Sequence, residues 1–109
     1  MPDVTEQYLC HMAEVPDSGA LAVDLPNGKS VILIRDKGGL HAYSNVCPHA
    51  GRRLDWAPGK FLIQRGVMTC AAHGARFDVT NGTCLGGPCR GENLQSVPIR
   101  LVDGVIWLD

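Results

Sequence analysis

The chain has 109 residues, 45% of them hydrophobic and 19% charged, with a formal net charge of −1. This composition suits one globular domain with a modest core, and it lacks the strong basic excess of a nucleic-acid binder. No apolar run is longer than that of Val31 to Ile34, which is far too short for a membrane-spanning helix.

The N-terminal "MPDVTEQ" carries acidic residues and no apolar signal core, which predicts a cytoplasmic protein. Thiols stay reduced in that compartment, where clustered Cys and His more often mean metal than disulfides. Five cysteines, an odd number, point the same way.

Strand signals dominate from there on. Tyr8 to His11 reads as a short strand rather than a helix. Ala20 to Leu25 reads as another, followed by "PNGK", a turn centred on Asn27-Gly28. Ser30 to Arg35 and Leu40 to Asn45 follow as strands around "DKGG". Near the end, Val97, Ile99 and Leu101 alternate with polar partners, and Pro98 predicts an edge strand. Asp103-Gly104 turns that strand into "VIWLD".

Residues 46–92 differ in texture, with most of the Gly, four of the Cys and two His in short pieces. "FLIQ", Arg65-Gly66 and "VMTC" read as one hairpin. "ARFDV", "TNGT" and "CLGG" read as a second, and its turn also explains the Asn81-Gly82-Thr83 sequon. The expectation is one all-β domain: a base from residues 1–45 and 93–109, with residues 46–92 as an inserted subdomain.

Two blocks in the insertion share residue types: "NVCPHAGRRLD", Asn45 to Asp55, and "MTCAAHGARFD", Met68 to Asp78. Cys47, His49, Cys70 and His73 give C-x-H, twenty intervening residues, then C-x-x-H. Gly51 and Gly74 let backbone N–H groups approach a ligand closely. Three readings fit these residues: metal-free buried thiols with loop His, a Cys₂His₂ zinc staple, or a two-iron cluster. The usual zinc spacing keeps like ligands together, whereas here each loop mixes them. That mixing suits a two-iron cluster, in which each loop sends Cys to one iron and His to the other.

"CPHAG", "CAAHG" and "HGARFDVTNGTCLGGP" resemble the two ligand loops and the following hairpin of Rieske [2Fe–2S] proteins. The resemblance implies a β-sandwich or barrel with an inserted cluster-binding subdomain. It implies that Cys47 and Cys70 bind one iron and His49 and His73 the outer one, with the Gly-Pro at Pro88 shielding the cluster. Neutral imidazoles in place of two thiolates raise the potential above that of a four-Cys cluster. Respiratory members place Ser and Tyr where this chain has Ala75 and Phe77, and an inter-loop disulfide where it has Arg52 and Ala72. Both departures point to the low-potential branch, which resembles ferredoxins and oxygenase components.

The function so implied is one-electron transfer between a reductase and an oxygenase or similar redox enzyme, by a monomer with no nucleic-acid or membrane partner. A small subunit of a larger enzyme, such as a nitrite-reductase-like complex, and a zinc-binding module stand as alternatives. Arg52, Arg53 and Arg76 are either solvated charge or a basic rim for an acidic redox partner. Cys84 and Cys89 flank "LGGP" at a spacing that leaves pairing open, though the compartment favours reduced thiols, and Cys10 reads as a small apolar strand residue.

Overall fold

The computed structural model describes residues 7–17, 19–36, 39–48, 53–55, 60–70, 74–89 and 91–109. Among these residues ten strands follow in order: β1 (Gln7–His11), β2 (Gly19–Asp24), β3 (Ser30–Asp36), β4 (Gly39–Ser44), β5 (Leu62–Gln64), β6 (Val67–Thr69), β7 (Arg76–Asp78), β8 (Cys84–Gly86), β9 (Ile99–Val102) and β10 (Val105–Leu108). The only helical piece among the described residues is a single 3-10 turn at Met12–Glu14. The strands form three antiparallel sheets, ordered β1-β10-β9, β2-β3-β4 and β5-β6-β7-β8.

The first two sheets draw on both ends of the chain, and the third is built wholly from residues 62–86. β3 joins the layers. Its run Val31-Ile32-Leu33-Ile34 is buried throughout, as a strand covered on both faces should be. Side chains alternate across a strand, so Val31 and Leu33 enter one core and Ile32 and Ile34 the other. The base core gathers Leu9, Cys10, Val15, Leu25, Ala42 and Ile106 around Val31 and Leu33. The other gathers Cys47, Leu54, Met68, Cys70, Ala75 and Phe77 around Ile32 and Ile34. Each of these isoleucines contributes about 1.5–3 kcal/mol by burial, so β3 welds the inserted sheet to the base.

The turns follow from sequence. Arg65 and Gly66 both have positive φ, 53° and 76°, and so do Asp103 and Gly104, 51° and 79°. Paired left-handed residues make the tight hairpin turn that matches strand twist. β9 is an edge strand, where Pro98 just before it removes no needed donor. β4 is tied to the segment ahead of β9 by Val97 N–H donating to Ala42 O (3.0 Å) and Ser44 N–H to Gln95 O (2.9 Å).

One expectation fails. Cys84 and Cys89 are joined by a disulfide, with Cα atoms 5.8 Å apart. The chain turns back sharply after β8 and brings the two Cα atoms within bridging range, which compartment reasoning could not foresee.

Candidate metal centre

Cys47 and Cys70 are both essentially buried, at 0% and 1% exposure, and both belong to the core around Phe77 and Met68. Neither is in a disulfide. Each stands at the base of a loop, and the two loops are closed differently.

Loop one leaves β4 and is closed by side chains. Asn45, 1% exposed, accepts the Leu54 N–H on Oδ1 at 2.9 Å. Its Nδ2 donates to Ser30 Oγ at 3.2 Å and Asp55 Oδ1 at 3.3 Å. The Asp55 carboxylate, with its side chain 1% exposed, takes a two-pronged contact from Arg53: Nε to Oδ1 at 2.9 Å and Nη2 to Oδ2 at 2.8 Å. Arg53 Nη1 also reaches the exposed Asp24 at 3.2 Å. The bond to Asp55 pushes the Arg53 pKa further up, so this guanidinium is permanently charged and engaged.

Loop two is closed by backbone. Cys70 N–H donates to Ala75 O at 2.7 Å, and Gly74 N–H donates back to Cys70 O at 2.9 Å. Gly74 takes φ +77°, a conformation that favours glycine. A third segment covers this loop. A Cβ on Gly87 would sit 2.8 Å from Gly74 O and 3.0 Å from Ala75 Cα, so only glycine permits that approach. The Cys84–Cys89 bridge closes this covering segment, and Cys89 is fully buried.

Of the residues singled out from sequence, the structure brings Cys47 and Cys70 into one core and sets Gly74 at the turn of loop two. His49, His73, Gly51 and Arg52 lie outside the described residues. Pro88 is exposed on the covering segment. Arg53 is taken up by two carboxylates. Arg76 is exposed and has no ionic partner among the described residues; its guanidinium lies over Gly86, where a Cβ would meet Nη2 at 2.6 Å. It borders an open groove of about 620 Å³ with Leu62, Gln64, Arg65, Val67 and Thr69. Sequence reasoning gave Asn45 and Asp55 no role; the signal available was their position, as polar residues at the two ends of the first Cys/His block.

Two thiols buried in one core, each at a loop with a tight closure, suit a soft metal group such as an iron–sulfur cluster. Ala75 and Phe77, both fully buried in the same core as Cys70, carry no hydroxyl. The family model described as the Rieske [2Fe-2S] domain matches residues 5–99. The chain belongs to this family, whose domain holds a [2Fe–2S] cluster, and a zinc staple gives way to that reading.

Among relatives, the ferredoxin component of a naphthalene 1,2-dioxygenase system from Pseudomonas aeruginosa is 29% identical over 108 residues, covering 97% of this chain and 98% of that protein. Apoptosis-inducing factor 3 from Homo sapiens is 35% identical over 80 residues, covering 73% of this chain, and the match spans only 12% of that protein's length. The ferredoxin of carbazole 1,9a-dioxygenase from Nocardioides aromaticivorans IC177 superposes with a TM-score of 0.76 at 26% identity, covering 95% of this chain and 96% of that one.

Proposed function

We propose that this protein is the ferredoxin of a multicomponent oxygenase system, carrying single electrons from a reductase to an oxygenase in the cytoplasm. The observation that carries the reading is the pair of buried thiols, Cys47 and Cys70, at two tightly closed loops. The near end-to-end likeness to a dioxygenase-system ferredoxin supports the partners. Cys47 and Cys70 would hold one iron, and His49 and His73 the other. The bound group supplies a site that gains and loses one electron. The chain's own residues keep water from the thiolates through the core around Phe77, and fix the loops. Arg76, with Arg52, presents positive charge to an acidic partner, and Gly51, Gly74 and Pro88 shape the loops around the site. A second reading, a domain within a larger redox enzyme, draws on the human relative in which the matched region is a small part.

The first test is composition and potential. The purified protein should contain two irons and two acid-labile sulfides per chain, with a midpoint near the low end of the Rieske range, about −150 mV. Equimolar zinc in protein made with ample iron would overturn the reading. The second test concerns charge. Oxidation of the reduced protein by hexacyanoferrate(III), which takes one electron to become hexacyanoferrate(II), should slow with added salt. Arg76→Glu should be slower at low salt and flatter in its salt response. Identical curves for the two proteins would remove Arg76 from the docking surface.

A further inference from the structure

We propose that Asp55, acting with Asn45 and Arg53, is the positioning group of the redox site: it clamps loop one, the segment bearing Cys47 and His49, to the base. This rests on the reading that loop one carries two of the cluster's ligands.

The argument starts from burial. The Asp55 side chain is 1% exposed, and a buried carboxylate persists only when paired and hydrogen-bonded. Both of its oxygens are engaged: Oδ1 accepts from Arg53 Nε and Asn45 Nδ2, and Oδ2 accepts from Arg53 Nη2. Asn45 is just as buried, and its amide orientation is fixed because Leu54 N–H must face the oxygen. Its Nδ2 then points at Ser30 and Asp55 together. The clamp therefore grips loop one on entry, two residues before Cys47, and on exit, at residues 53–55. It also ties that loop to the start of β3 through Ser30 and to the end of β2 through Asp24.

Arg53 consequently has a different job from Arg76. Three of its nitrogens are bonded to two carboxylates, which leaves little charge for an incoming partner. Its planar fork matches the carboxylate in a way that a lysine ammonium cannot. Groups that orient the residues of a metal site control how firmly the metal is held and how uniform its surroundings are.

The test uses the holoprotein reduced with dithionite, which also keeps released iron ferrous, and two readouts: the rate of iron(II) release to bathophenanthroline, and the electron paramagnetic resonance line shape. Arg53→Lys keeps the charge and loses the fork. It should release iron about tenfold faster, the scale expected when a contact behind a metal ligand is lost, and give broader lines. The double variant Arg53→Lys with Asp55→Asn should be no faster than Asp55→Asn alone, because one clamp is broken once. Should Asp55→Asn fail to fold, Ser30→Ala is the gentler probe, with release about two- to threefold faster for one lost hydrogen bond. A docking charge would survive Arg53→Lys, so wild-type release and line shape in that variant would overturn the proposal while leaving the ligand assignment intact. Cys47→Ser with its cluster retained would instead overturn the ligand assignment, and the clamp with it.

Discussion

Two blocks of this chain end alike, in Arg53-Leu54-Asp55 and Arg76-Phe77-Asp78, and the structure uses them differently. The apolar residue of each is fully buried in the same core, Leu54 at 1% and Phe77 at 0%. The charged residues diverge. Arg53 folds onto Asp55. Asp78, on a strand, turns instead to the Thr80 hydroxyl and amide, at 2.6 and 2.9 Å, and Arg76 lies over Gly86. Those contacts with Thr80 hold the Asp78 carboxyl below the usual carboxylate range. The cause lies in the local backbone. The first block is loop and needs side chains to close it. The second begins a strand already paired on both sides, and its loop closes through main-chain bonds. Similar sequence thus gives one loop that depends on side-chain chemistry and one that depends on space.

The sharpest way to break this comparison is to remove what both blocks share. Cys70→Ser and His73→Ala should each lose the visible absorbance of the cluster and the cooperative unfolding transition, since ligation couples to folding. Retention of both in either variant would exclude that residue as a ligand.

Next in size is a variant aimed at space alone. Gly87→Ala should destabilise by roughly 2–3 kcal/mol in urea unfolding, because its Cβ would press on the loop-two backbone and its φ of +82° disfavours a side chain. An unchanged urea midpoint would mean that the covering segment can shift freely away from loop two.

The smallest effect comes from the side chain that ties the second block to the base. Tyr43, 3% exposed, donates its hydroxyl to Val79 O at 2.8 Å. Tyr43→Phe should cost about 1 kcal/mol in urea unfolding at neutral pH. Burial, then the charges of Asp78 and Asp36, raise the phenol above its ordinary pKa of 10.0. A raised acid group favours the folded state in full below the unfolded value, and that contribution fades as pH rises through the folded value. The gap between wild type and variant should therefore be constant up to about pH 9 and close above pH 10. A gap that widens with alkali would contradict the assignment.

Much of this was legible in the chain. Alternation and turn pairs placed the base strands within a residue or so, because period-two burial and left-handed turn residues are local signals. "SVILIR" read as a strand, though its burial on both faces emerges only from the structure. The paired Cys and His, mixed within each block, already suited a cluster. What stayed hidden depends on distance in space. Nothing about Arg53 in sequence says that it folds onto a carboxylate two residues away, while Arg76, with the same spacing to Asp78, does not. The Cys84–Cys89 bridge was equally hidden, since its spacing fits an open loop as well as a closed one. Asn45 looked like the end of a strand, and its role emerges only once Leu54, Ser30 and Asp55 converge on it.

The pairing of β1 with β10 sets Gln7 opposite Leu108, nearly the full chain apart. That single ladder has a kinetic consequence. The hairpins β5–β6 and β7–β8 close over a few residues and can form in microseconds. The ladder between the chain ends must instead close a loop containing almost everything else, and long-range pairing of this kind slows folding toward the millisecond-to-second range. The sheet of β5 to β8 is therefore free to assemble early around its own turns, while the outermost strands zip last.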